Sequence, residues 1–340
     1  YNDLVPMYPD LFLDLARALR ARTRVSVLVD QGQSEFLDEL LSERDQQDLQ
    51  LDRVQVPHDT MWVRDYGPLV IKDRTGRRTV VDADYLQFGR PLDDAAPSLV
   101  ASARRLDLVP LNVDLEGGNL LSNGQGLLLS TTVVLEANGA QGREVRDVEE
   151  FFRQFFGGEV VFLEPLDGEA TGHVDMFATF TSADTVVVGA YDFDTDPVNA
   201  ALLDRNAARL ARLRLRDGRR LRVVRIPMPQ CDDGVWRTYT NVVMANGVLA
   251  VPVYPEADAK LDRAAVQTYR KLLPGWQVTP IDASEVIASG GALHCMTMNI
   301  PAEADGPAVE PSPGKTPRVR RIPLRVTRRR GGILPKPPAG

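Results

Sequence analysis

Apolar and polar positions along this chain fall into a unit that recurs. A short apolar run enters a polar, glycine-bearing stretch; a hairpin with a turn signal follows, then a helix-period stretch, then the next apolar run. The incoming runs are Val54–Pro57, Val109–Val113, Val160–Leu163, Val223–Ile226 and Val278–Ile281, each of strand length. Hairpin turns are expected at Arg74-Thr-Gly76, Asn123-Gly124, Ser182-Ala-Asp184 and Asn246-Gly247, because Asn and Gly tolerate the backbone angles that tight turns need. Apolar residues at three- and four-residue steps predict helices over Asp94–Arg105, Arg143–Phe156, Pro197–Leu213 and Asp258–Leu272. Hairpins alternating with helices predict an α/β fold of mixed sheets rather than a purely parallel one.

The polar stretches that follow the incoming runs concentrate the chemistry. They contain Met61-Trp-Val-Arg-Asp-Tyr-Gly-Pro68, Glu116-Gly-Gly-Asn119, Gly172-His-Val-Asp175, Tyr239-Thr-Asn241 and Gly290-Gly-Ala-Leu-His-Cys295. Asp65, Asn119, Asp175, Asn241 and Cys295 are spaced by 54, 56, 66 and 54 residues, so motif and repeat share one period. A radial arrangement of the repeats would bring two Asp, a His, a Glu and a Cys to one end of a central axis.

Composition narrows the class. With 340 residues, 44% hydrophobic and 26% charged, the chain is long and apolar enough for a sizeable core. No apolar run approaches the roughly 20 residues of a membrane-spanning helix, so no membrane insertion is expected. Eight prolines and a net charge of +6 in Ala302–Gly340 read as an extended basic tail, leaving −13 on residues 1–301, the expected catalytic domain. An acidic body favours cationic ligands and disfavours nucleic acid. Two cysteines and three histidines offer no convincing structural metal site, and neither metal nor cofactor is expected. The chain opens at Tyr1 without Met, which fits a trimmed N-terminus and leaves cytoplasmic and secreted locations equally open; oligomeric state is not legible.

Taken together, Trp62-x-Arg64-Asp65-x-Gly67-Pro68, Glu116-Gly-Gly, Gly172-His-x-Asp175 and Gly290-Gly-x-x-His294-Cys295 resemble the guanidine-modifying superfamily. Within it they are most similar to the agmatine deiminase and bacterial (Porphyromonas-type) peptidylarginine deiminase family. The resemblance covers nearly all of residues 1–301. It implies the five-bladed α/β propeller of ββαβ repeats called the pentein fold. It also implies hydrolysis of a guanidino group to a ureido group and ammonia, with Cys295 as nucleophile, His173 as acid and base, Glu116 beside that histidine, Asp65 and Asp175 holding the substrate nitrogens, and Asn241 near the substrate.

Residue chemistry points the same way. A guanidinium is planar, always cationic and rich in N–H donors, so a site that reads it wants carboxylates such as Asp65 and Asp175. Its carbon is a poor electrophile, and a covalent intermediate on Cys295 divides one hard step into two. Bound substrate is itself a cation, so it can activate the thiol even where the free thiol is not acidic. His294 lies next to Cys295 in an extended segment, where neighbouring side chains point to opposite faces, and is therefore a poor base for it. Cys231 reads as structural and His58 as a surface or loop residue. Arg64 is expected to orient Asp65 through a charge-assisted pair. Trp62 either covers the substrate stem or fills core space. Asn119 is a further substrate-binding candidate, and the motif glycines are read as permitting tight turns.

The favoured function is a deiminase acting on arginine or peptidyl-arginine. In the bacterial peptidylarginine enzymes, arginines after the first hairpin bind a substrate carboxylate, and Arg90 before Pro91 matches one of them. The alternative is agmatine deiminase, giving N-carbamoylputrescine, although Asp84-Tyr-Leu-Gln-Phe-Gly89 departs from the string usual in that branch. An amidinotransferase or dimethylarginine hydrolase on the same scaffold, and a non-enzymatic binder of anions or nucleic acid acting through the tail, complete the set. Retention of Cys295 and His173 weighs against the last.

Overall fold

The computed structural model describes residues 7–302, except positions 31 and 74; the expected basic tail, apart from Ala302, lies outside the described residues. In chain order come Pro9–Arg20 (α1), Ser26–Val29 (β1), Gln33–Leu40 (α2), Glu43–Leu49 (α3), Asp52–Gln55 (β2) and the one-turn helix Val63–Tyr66 (α4). The repeat then runs through Leu69–Lys72 (β3), Arg78–Asp84 (β4), Pro91–Arg104 (α5) and Asp107–Asp114 (β5). It continues as Leu121–Ser122 (β6), Leu127–Thr131 (β7), Val133–Ala140 (α6), Val145–Phe156 (α7) and Glu159–Leu163 (β8). The last two copies are Ala178–Ser182 (β9), Thr185–Ala190 (β10), Pro197–Ala211 (α8), Arg222–Pro227 (β11), and Val243–Ala245 (β12), Val248–Val253 (β13), Pro255–Leu272 (α9), Gln277–Asp282 (β14).

Four sheets share one topology. An antiparallel hairpin supplies two strands and a helical crossover returns the third parallel to the second, with β4 between β3 and β5, β7 between β6 and β8, β10 between β9 and β11, and β13 between β12 and β14. A fifth, two-stranded sheet pairs β1 with β2 in parallel. Five sheets with outer helices make the expected five-bladed α/β propeller. Middle strands read as unbroken apolar runs because both of their faces are covered, and Val186–Val188 and Val248–Val251 have no solvent exposure.

Local chemistry sets the boundaries. At β12–β13 the turn residues Asn246 and Gly247 both take positive φ, 46° and 84°, as a two-residue hairpin requires. At β6–β7 the Asn123 side chain instead accepts from Gln125 N and Leu127 N, which widens the turn. Helix α8 opens on Asp196, whose carboxylate accepts from Asn199 N, and buries Ala200, Leu203, Ala207 and Leu210 at helical spacing. The predicted strands and helices are all present within a few residues. The periodicity does not foretell α1, β1 or α6, and among the described residues no helix is long and apolar enough to cross a membrane.

Candidate active site

The five motifs meet, and a closed cycle of hydrogen bonds joins them. Gly118 N donates to Asp65 Oδ1, Val174 N to Asn119 Oδ1, Thr240 Oγ1 to the Asp175 carbonyl, His294 N to Asn241 Oδ1, and Arg64 N to the Cys295 carbonyl. Each blade is thereby pinned to the next around the axis. A cleft of about 620 Å³ opens onto this ring, lined among others by Trp62, Asp65, Arg90, Glu116, Asn119, His173 and Cys295.

Cys295 is 4% exposed, and its Sγ lies 3.1 Å from Asn241 Nδ2 and 3.9 Å from Asp175 Oδ2. His173 sits at the start of a 3-10 turn, Val174–Met176, with Nε2 2.6 Å from Glu116 Oε2 and Nδ1 3.6 Å from Asp65 Oδ1. Gln87 donates to the other Glu116 oxygen at 2.6 Å. Two buried polar atoms of this cluster, His173 Nδ1 and Asp175 Oδ1, have no hydrogen-bond partner in the protein. Buried groups rarely stay unsatisfied without a functional reason, and the free Asp175 acceptor beside the thiol suits a ligand that carries N–H groups.

Charge coupling explains the resting state. Burial opposes a proton on His173, but Asp65, Glu116 and Asp175 outweigh it and raise the imidazole to about 10. Burial also opposes the Glu116 charge, yet the hydrogen bond and charge of His173 hold that carboxyl below its usual value. Burial, with Glu116 and Asp175 adding to it against the pull of His173, pushes Asp65 up. The Cys295 thiol is raised well above its ordinary value by burial and by Asp175 and Asp65, against the Asn241 hydrogen bond. A guanidinium entering between the aspartates would bring a positive charge that offsets part of theirs, and so would itself favour the thiolate.

A pH dependence follows. The acid role that the family resemblance implies for His173 requires a protonated imidazole, and its raised value keeps it so through neutral pH. Replacing Glu116 by Gln removes one supporting charge, so the alkaline limb of kcat/KM should move down by about 1 to 3 pH units. A pH–rate profile of ammonia release checks this; an unmoved limb would remove Glu116 from control of His173.

Several sequence expectations change. Arg64 makes no ion pair with Asp65: its Nε donates to the His294 carbonyl and a terminal nitrogen to Asn299 Oδ1, because its helix turn aims it behind the cleft at the Cys295 segment. Asn119 lines the cleft, but its amide oxygen accepts from Thr131 N and Val174 N and its nitrogen donates to Thr131 Oγ1, so it staples blades together. Asn241 uses its oxygen in the same way and keeps its nitrogen for the thiol. His58 is buried, with Nδ1 2.9 Å from the Val56 carbonyl, and Cys231 is half-exposed rather than packed inside. Gly118 is needed for close approach rather than for a turn, since a Cβ there would stand 2.5 Å from His173 Nδ1 and 2.6 Å from Asp65 Oδ1. Trp62 lines the cleft and packs on the core. Asp65, Glu116 and His173 place their ligand atoms within 4.8 Å of one another, close enough to hold a cation.

A thiol, an imidazole and two carboxylates at the axis of a five-bladed pentein propeller define a hydrolase of guanidino C–N bonds. Residues 2–301 match the family described as Porphyromonas-type peptidyl-arginine deiminase, and the chain belongs to that family. It is 29% identical over 317 residues to a Streptomyces coelicolor protein named "Putative agmatine deiminase", covering 84% of this chain and 87% of that one. A Mycoplasma mycoides protein of the same name is 26% identical over 330 residues, 86% of each chain. Among solved structures, the "Putative Arginine Deiminase" of Porphyromonas gingivalis superposes with TM-score 0.76 at 26% identity, covering 88% of this chain and 91% of that one. The agmatine deiminase of Enterococcus faecalis gives TM-score 0.76 at 22% identity, over 87% and 88%.

Proposed function

We propose that the substrate is agmatine, hydrolysed to N-carbamoylputrescine and ammonia. The observation that carries this reading is the charge of the cleft wall. Asp65, Asp114, Glu116 and Glu169 line it against a single arginine, Arg90. Arg90 is itself engaged, donating to Tyr85 Oη at 2.7 Å, and Glu116 and Asp93 act on its charge. Asp114 is raised to about 6 by burial and by Glu116 and Asp84, the mark of a carboxylate short of cations. A substrate with a guanidinium at one end and an ammonium at the other matches such a wall, and the names of the curated relatives support it.

In this reading Asp65 and Asp175 hold the guanidinium and the Cys295 thiolate adds to its carbon. His173 gives its proton to the departing ammonia, leaving an amidino thioether. Water then adds, one of its protons passing to His173, and the C–S bond breaks to return the thiolate and the ureido product, the second proton leaving to solvent or to the released ammonia. Arginine or a peptide ending in arginine is the second reading, favoured by the one fact that Arg90 lines the cleft. Steady-state kinetics on agmatine, arginine and a C-terminal arginine peptide separate the two. The expected result is a wild-type preference for agmatine, with Arg90→Ala retaining it. A wild-type preference for the C-terminal arginine peptide, with a loss of about ten- to a hundredfold on it in Arg90→Ala, would establish the second reading instead.

A further inference from the structure

We propose that His294, the residue before the nucleophile, is a positioning residue: its imidazole donates from Nδ1 to Asp175 and so fixes the carboxylate that receives the guanidinium. The inference rests on the reading of Asp175 as a substrate anchor and goes beyond it by assigning what holds that anchor.

His294 Nδ1 lies 2.6 Å from Asp175 Oδ2, and the two side chains are 14% and 1% exposed. A carboxylate only accepts, so the proton between them sits on Nδ1. With Oδ2 occupied, Oδ1 is the oxygen left without a protein partner, an acceptor kept for substrate. The imidazole is itself fixed through its backbone, whose N–H donates to Asn241 Oδ1 and whose carbonyl accepts from Arg64 Nε.

Neutrality matters as much as geometry. An imidazolium on Asp175 would compete with the incoming guanidinium for the same charge, whereas a neutral N–H orients the carboxylate and leaves its charge to the substrate. The surroundings favour the neutral form: burial, then Arg64, then His173 work against a second proton on His294, and Asp175 alone favours it. Residues 293–296 form a turn rather than the extended segment expected from sequence, and it brings His294 and Cys295 together onto Asp175, whose Oδ2 lies 2.6 Å from the imidazole and 3.9 Å from Sγ.

The test separates a donor from a space-filler. His294→Asn retains an N–H at the Nδ1 position, whereas His294→Leu retains bulk without a donor. Agmatine and arginine binding are measured by calorimetry in a Cys295→Ala background, where no turnover intervenes, with Asp175→Asn alongside. Binding in the Leu variant should weaken about ten- to a hundredfold, while the Asn variant stays within about threefold of the parent. Equal binding in parent and Leu variants, or equal loss in Asn and Leu variants, would overturn the assignment. Where the Leu variant fails to fold, the Asn variant decides: retained binding supports the donor role and lost binding ends it. Undiminished binding in Asp175→Asn would instead overturn the anchor reading itself.

Discussion

With Cys295 replaced by Ala, ammonia release from every guanidino substrate should fall to the uncatalysed background, while Cys231→Ser stays within about twofold of wild type. The contrast is sharp because only one of the two thiols lies on the ring of motifs. Cys295 is buried, touches Asn241 and stands beside Asp175; Cys231 is half-exposed and does not line the cleft. No other side chain at the ring could replace a sulfur nucleophile, since the remaining groups are carboxylates, amides and imidazoles that are each engaged with one of these neighbours. Ammonia assays on both variants, with thermal unfolding to confirm that each is folded, give the answer. Comparable losses in two folded variants would remove Cys295 from its role.

Nearly as large an effect is expected at the two aspartates. Asp65→Asn and Asp175→Asn each leave a buried guanidinium without one counter-charge, at a cost of about 3 to 5 kcal/mol, so turnover should drop by about two to four powers of ten. The amide adds a second penalty by turning a donor toward the substrate's own N–H groups. Asp65 also accepts from Gly118 N and Asp175 from His294 Nδ1, and because an amide oxygen can still accept both bonds, neither variant should melt much earlier than wild type. Kinetics on agmatine and arginine with parallel melting curves test both statements. Near-wild-type turnover in either variant would show that its carboxylate does not anchor substrate.

Much of this site is legible before any fold is known, because the chemistry travels with the repeat. Asp65, Asn119, Asp175, Asn241 and Cys295 recur at one period, and a period in sequence becomes an angle about an axis once each unit folds alike. What the sequence hides are contacts made across blades. Arg64 sits one residue from Asp65, which invites pairing them, yet the α4 turn sends its guanidinium to the His294 carbonyl, 230 residues away. The contacts of His294 and Gln87 are hidden for the same reason, their partners Asp175 and Glu116 belonging to other units. The glycines deceived differently. Positive φ is a local property that sequence can flag, but the crowding that excludes a Cβ at Gly118 exists only after His173 and Asp65 have converged. The N-terminal elements escaped because the two-stranded sheet of β1 and β2 lacks the hairpin that announces the other four.

The hydrogen-bonded cycle around the axis also imposes an order in time. A ribosome makes Asp65, Glu116, His173, Asp175 and Asn241 first and the thiol last, so the cradle for a cation is synthesised before the group that attacks it. The final link of the cycle, Arg64 N to the Cys295 carbonyl, forms only when that segment arrives. Until then the buried guanidinium of Arg64 lacks both the His294 carbonyl and Asn299, and an unpaired buried cation is costly. A product cut short before residue 294 is therefore not a slow enzyme but an unstable one, open to proteolysis. Completing the nucleophile and closing the ring are a single event, which makes catalytic competence a sign that synthesis has passed the last of the five motifs.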